Sequence, residues 1–419
     1  MRWLKVVLMM LLMVNLSFAS EVERLVEKLV EKGIITEGEA YKILTEAEEE
    51  AKKQEAVARK DTDKISGWIK NTKFKGDARL RYEYIGRENQ DGSYIADRER
   101  WRIRFRWGFD TKVNDQIEAG FRIATGDSSQ IATSANQTFT QAFNDKYIWL
   151  DRAYITYKPV PTLSFTGGKM ANPFYTNLIW SSDLNPEGIS FVKNFPMQEG
   201  KGNFYLLGGY FPILERSNDI EDPYMTGFQI GYTGKIQEKK FKAAIAYYDY
   251  NGIKDSKASE ISPSCYNKGN TLYGSGTNAR YKYDYDILDL SAEFTPFEFN
   301  YRDTMLPMTF YGTYAKNIAA GVKENIGYLY GFQLGSAKKQ KSWQFNYDYR
   351  RLEADAVLDF MPDGSFAQGG TDCKGHTLGF RYATSDNSTL GITYMITEGL
   401  GNTKKVDADI LQIDYAVSF

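Results

Sequence analysis

Arg100, Arg102, Arg104 and Arg106 fall at every second position, with Trp101, Ile103, Phe105 and Trp107 between them. A row of guanidinium groups attracts anions and takes carboxylate partners, which is binding chemistry rather than bond-making chemistry. Little else in the chain is equipped for catalysis. His376 is the single histidine, so a His-built metal cluster is impossible within one chain, and no metal or cofactor is expected. A hydrolytic site needs a nucleophile, a base and an orienting group within reach of one another. Here it would have only His376 as base, with Ser365, Asp372 and Asp386 as loose company, so the sequence argues against an enzyme.

The arginine row also fixes the element that must carry it. Charge and bulk exchanged at every step suit a strand with one greasy face and one charged face, and little else. The same alternation recurs over residues 74–84, 100–107, 116–124, 149–158, 162–170, 188–193, 203–211, 225–234, 241–250, 286–295, 309–316, 327–335, 343–352, 376–383, 390–397 and 410–419, about sixteen segments. An even count is what bacterial single-chain membrane barrels require. Barrels of that kind alternate short turns with long loops. The connections at 110–115, 159–161, 235–239, 337–341 and 385–387 are short, whereas 125–147, 251–284 and 353–375 are long and rich in Gly, Ser, Asn and Asp. Two connections that should be short, 194–202 and 296–307, run longer than that rule prefers.

Composition agrees with an all-β membrane barrel. Mean hydropathy is −0.48, yet aromatic residues make up 15% of the 419, with 30 tyrosines. A barrel hides its hydrophobicity because only every second side chain meets lipid. Eleven prolines leave room for many strands and 36 glycines suit tight turns. A net charge of −2 lacks the basic footprint of a nucleic-acid partner.

The N-terminal end is different in kind. Arg2 and Lys5, the apolar run Val6 to Val14, and Ser17-Phe18-Ala19 make residues 1–19 a signal peptide, with maturation near Ser20. Residues 20–64 read as a helical, periplasmic segment. Val22, Leu25, Val26, Leu29 and Val30 recur at helical spacing, Gly33 is a stop signal, and Thr36 with Glu39 forms a capping box. Ile43, Leu44, Ala47 and Ala51 would share one face of the second helix, before charge takes over from Glu48 to Lys64. Two readings fit: a hairpin that packs on something, or a short coiled coil that trimerises the chain. The barrel itself would occupy residues 73–419.

Gly76-Asp77-Ala78-Arg79-Leu80-Arg81-Tyr82, the arginine-rich second strand, Ala153-Tyr154-Ile155-Thr156-Tyr157, Gly167-Gly168-Lys169 and the terminal Phe419 together resemble the porin family of Gram-negative outer-membrane proteins. That group is related in architecture to the general and the phosphate-selective porins. The resemblance implies a transmembrane antiparallel β-barrel of sixteen strands in the cell outer membrane, trimeric, that conducts ions and small nutrients. Its partners would be the bilayer and lipopolysaccharide around it, further copies of itself, and small hydrophilic solutes. The helical segment 20–64 departs from the minimal general-porin pattern.

Strand parity then sorts the charges. Charge on the lipid face costs about 2 to 4 kcal/mol at mid-depth, so Arg100, Arg102, Arg104 and Arg106 face inward, joined by Arg79 and Arg81, Arg122 and Arg152. Asp289 and Glu293, Asp348 and Asp414 are inward acids. A basic wall facing carboxylates sets a transverse field across a wet pore and favours anions; the plainer reading is that these charges pair and keep the lumen wet. The connection 171–183, with Phe174, Trp180 and Asp183, is too apolar for a solvated loop. It is expected to fold inward as a constriction, as the loop after the fifth strand does in general porins; the alternative is a loop covering a subunit interface. Cys265 and Cys373 fall in two long loops, where topology allows a disulfide. The rival functions are an outer-membrane anchor held through the helical segment and, more remotely, an outer-membrane hydrolase.

Overall fold

The computed structural model describes residues 26, 28–36, 38–46, 49, 67–127, 132–217, 221–263, 267–301 and 304–419. The signal peptide expected at 1–19, Val22, Leu25, Ala47, the 51–64 part of the helical segment and Cys265 lie outside them. The chain divides into two compact units, residues 1–70 and 71–419.

In the first unit, residues 28–31 and 38–46 are helical. The capping box forms as read: the Thr36 amide and hydroxyl both donate to Glu39 Oε2 at 2.8 Å, and the Glu39 amide donates to Thr36 Oγ1 at 3.3 Å. These bonds satisfy amides that the first helical turn leaves orphaned. Gly33 has φ +66° and stops the preceding helix in a Schellman arrangement, with the Gly33 amide on Val30 O at 2.9 Å and the Ile34 amide on Leu29 O at 3.0 Å. No described helix is long and apolar enough to cross a membrane.

Among the described residues the second unit is built on an antiparallel sheet of 17 strands, of which one is the two-residue Gln137–Thr138, with a small separate pair, Leu272–Tyr273 and Arg280–Tyr281, in a long connection. The other sixteen are β1 Thr72–Asn89, β2 Arg98–Lys112, β3 Ile117–Thr125, β4 Ile148–Val160, β5 Leu163–Lys169, β6 Glu187–Pro196, β7 Gly202–Pro212, β8 Tyr224–Ile236, β9 Lys239–Asn251, β10 Tyr285–Tyr301, β11 Thr304–Asn317, β12 Ile326–Gly335, β13 Trp343–Leu352, β14 Cys373–Ser385, β15 Ser388–Gly399 and β16 Val406–Ser418. Each segment read from alternation corresponds to one of them. Neighbours in sequence are neighbours in the sheet, and β16 returns to pair with β1, Arg81 opposite Asp414. Closure leaves no unpaired edge, the condition for β-structure in hydrocarbon.

The two faces differ as parity requires. On β8, Phe228 and Ile230 are 53% and 63% exposed, while Met225 and Gln229 between the outward positions are buried. The junctions 194–202 and 296–307 are shorter than the sequence suggested because β6 runs on to Pro196 and β10 and β11 run through Pro296 and Pro307. Between Phe294 and Phe297 the register shifts, and that bulge absorbs Pro296, whose missing N–H would otherwise break the ladder. The end is sealed by Gly76 and Phe419: each amide donates to the other's carbonyl, at 2.8 and 3.0 Å. A Cβ on Gly76 would sit 2.3 Å from the Phe419 ring, so this approach requires glycine.

Candidate functional site

Arg79 and Arg81 of β1 and Arg100, Arg102, Arg104 and Arg106 of β2 share the face opposite the exposed aromatics, and each meets acid or amide. Arg81 grips Asp414 with two bonds of 2.6 Å, and Arg79 reaches Asn136 Oδ1 at 2.6 Å. Glu83, 2% exposed, takes Arg100, lies 3.7 Å from Arg102 and accepts from Gln412 at 2.8 Å. Asp77 joins Arg104 at 2.8 Å and Arg106 at 2.7 Å. Arg122 pairs with Asp151, and Arg152 Nε donates to Asn185 Oδ1 at 2.7 Å. Two half-open spaces lie along this wall, one of about 170 Å³ bordered by Arg106, Arg122 and Arg152, and one of about 210 Å³ bordered by Arg79, Arg81 and Arg104.

The inward acids of the later strands are not arrayed as one opposing wall. Asp414 belongs to the arginine cluster, because closure sets β16 beside β1. Asp348 is occupied on its own strand by Arg350 at 3.1 Å. Asp289 is 1% exposed and accepts from Ser291 at 3.2 Å. Glu293 accepts from Tyr175 at 3.2 Å. Of the four, only Asp289 and Glu293, both on β10, stand apart from arginine.

The segment after β5 bonds the inward faces of distant strands. The Tyr175 amide donates to Gln229 Oε1 of β8 at 2.9 Å, and the Asn177 amide to Thr313 Oγ1 of β11 at 3.3 Å. The Ser181 amide then reaches Met361 O at 2.7 Å. Phe174 meets Tyr248 edge-on at 5.0 Å, with Trp180 5.8 Å from Phe174 and 6.1 Å from Tyr248. Asp183 returns to the basic wall, 3.2 Å from Arg106 and 3.8 Å from Arg104. Phe174, Leu178, Ile179, Trp180 and Leu184 are all buried in one apolar cluster with Tyr248 and Tyr250. Apolar packing thus fills the β7–β13 side, and the polar space is left against the arginines.

The long connections 252–284 and 353–372 also pack on one another. Asn270 Nδ2 donates to Ala354 O and Val357 O, both at 2.7 Å. Asp355 accepts from the Thr271 amide at 2.9 Å and from the Tyr285 hydroxyl at 3.0 Å. Asp359 accepts from the Lys268 amide at 2.7 Å and the Tyr281 hydroxyl at 3.2 Å. Burial pushes the Asp359 carboxyl up to about 6 and raises Asp355 as well, against the lowering effect of those bonds.

Several residues escaped the sequence reading. Asp151 did so because strict alternation puts it opposite Arg152; a register shift between Arg122 and Ile123 lets both point to the same side. Asp77, Glu83 and Arg381 obey the parity rule and were findable by it. His376 bonds Tyr347 at 2.9 Å, Asp386 takes the Gln340 amide, Asp372 takes the Thr403 and Lys404 amides, and the Ser365 amide donates to Asp363. Cys373 opens β14 as a buried free thiol.

A closed antiparallel barrel with apolar aromatics outside and paired charges inside defines a transmembrane β-barrel of the porin type. Residues 93–419 match the family model described as "Putative porin", and the chain belongs to that family. It is an outer-membrane porin channel. No curated protein matches it. Among solved structures, the high-pH structure of OprB from Pseudomonas putida is similar at TM-score 0.54 with 11% identity, covering 84% of this chain and 95% of that one. A mutant of Rh. blastica porin gives TM-score 0.44 and 10% identity over 83% of this chain and 100% of that one. A loop L8 deletion mutant of Vibrio cholerae OmpT gives 0.42 and 12% over 83% and 100%.

Proposed function

We propose that the barrel passes ions and small hydrophilic solutes by passive diffusion and prefers anions. Its narrowest part lies between the inward segment carrying Phe174, Trp180 and Asp183 and the wall of Arg79, Arg81, Arg102 and Arg104. Arg100, Arg106, Arg122 and Arg152 extend that lining, with Asp289, Glu293, Asp348 and Asp414 as its acids. The carrying observation is the balance at the narrow space, where five arginines meet three aspartates. Fixed charge in a low-dielectric channel raises the local concentration of the opposite ion. In this reading the long connections face outward, the N-terminal helices face the periplasm, and three copies assemble around their apolar outer faces.

The test is the reversal potential across a planar bilayer under a KCl gradient. The wild type is expected to favour chloride, and replacing Arg102 and Arg104 by Gln is expected to move the potential toward the cation side. A wild-type potential on the cation side, or one that ignores the double substitution, rejects the anion preference.

A further inference from the structure

Resting on the channel reading, the geometry points to a solute-binding subsite in the lumen for a small polyhydroxylated anion, an aldonic acid or sugar phosphate in class. The site is the half-open space of about 210 Å³ beside the inward segment.

Its five guanidinium groups are not equivalent. Arg81 is taken by Asp414, Arg104 by Asp77, and Arg350 by Asp348. Arg381, on β14, is exposed toward this space. Among the described residues it has no hydrogen bond or ion pair. Its stem passes over Gly391, 3.6 Å from where a Cβ would stand there, with the Asp414 Cβ 3.8 Å away on the same side. A bare guanidinium fork in a narrow wet passage is a seat for a carboxylate or phosphate.

Two further groups are unsatisfied at the same space. Thr377 is 7% exposed and its Oγ1 has no partner. Arg79 Nε is buried without an acceptor. Buried polar atoms that lack partners are costly, and both would gain one from a solute.

The remaining lining specifies the rest of the ligand. Thr133, Ser181, Ser182, Ser365 and Thr393 contribute hydroxyls, Asn136 and Gln412 contribute amides, and the carboxylates Asp183 and Asp363 are held by Arg106 and Arg350. Met395 is the sole apolar side chain along it. Hydroxyls and amides both donate and accept, so they match a solute that carries hydroxyl groups along its length. A simple carboxylate would use Arg381 alone, and a neutral polyol would leave it empty.

Purified channel in a planar bilayer in KCl, titrated with gluconate, acetate or sorbitol, tests the site. Gluconate is expected to reduce the chloride current with a half-blocking concentration at least tenfold below that of acetate, with sorbitol inert over the same range. Arg381→Gln is expected to raise the gluconate value at least tenfold, and Thr377→Val at least threefold, each checked for folding by heat-dependent gel mobility. Should one variant fail to fold, the other carries the test. Equal block by gluconate and acetate, or gluconate block unchanged in the folded variants, overturns the site. A steady current indifferent to gluconate overturns the site alone, whereas no channel steps at all overturns the channel reading together with it.

Discussion

Arg81 and Asp414, 333 residues apart in sequence, meet through two hydrogen bonds of 2.6 Å at the junction of the first and last strands. The pair joins the two ends of the sheet and at the same time cancels one charge of the basic wall. Asp414→Asn removes the charge and weakens both bonds. Hydrogen bonds to charged groups contribute about 1.5 to 3 kcal/mol, so the variant should convert to the unfolded gel form at lower temperature. Its reversal potential should also move further toward chloride; a shift toward potassium would show that Asp414 does not face the conducting path.

Trp180 is 7% exposed and wedged against Phe174 and Tyr248. Truncating a buried Trp to Ala costs about 3 to 5 kcal/mol, here spent on the packing of the inward segment. Trp180→Ala should give larger single-channel steps with more open-state noise. Steps of wild-type size and quietness would mean that this segment does not bound the narrow part.

The carboxyl of Asp359 gives the long connections a pH dependence with a defined sign. Its value in the fold, about 6, is above the ordinary 3.8, so the packed state favours the protonated form. Packing of 353–372 on 252–284 is therefore firmest below about pH 4 and weakens as pH rises through 6, with Asp355 acting in the same direction. Limited proteolysis of the detergent-solubilised protein should cut these connections faster at pH 7.5 than at pH 5. Asp359→Asn should flatten the difference, and faster cutting at pH 5 would reverse the assignment.

Gly76 leaves no room for a side chain beside Phe419. Gly76→Val should displace the terminal ring and lower the yield of folded barrel, read as the fraction of heat-shiftable protein on a gel. Phe419→Ala in the same background should recover part of that yield if the clash is the cause.

The strands were legible because lipid enforces a two-residue period with large penalties, and the Trp101–Trp107 row carries that signal almost without noise. The capping box at Thr36 and Glu39 was equally plain, since both partners lie within one turn. What stayed hidden depends on contacts far apart in sequence. Nothing local announces that Asp151 sits on a bulge, nor that Asp414 stands among the arginines, which follows only from the sheet closing on itself. The packing of Asp359 against Tyr281 and Lys268 is likewise a meeting of two loops whose sequences look solvated. Arg381 is a different case: the parity rule could have placed it inside, and its lack of a carboxylate partner became visible only with the neighbours in position.

Pairing of β1 with β16 also orders events in time. The first strand of the sheet finds its second neighbour only once β16 has been synthesised and exported, so the contact that closes the sheet is the last of its pairings to become available, a demand that slows folding. Until then both margins present open amides and carbonyls to any other extended chain. A nascent or truncated copy is consequently not a weaker channel but a sticky ribbon, and a cell making this protein must shield it until translation and export are complete.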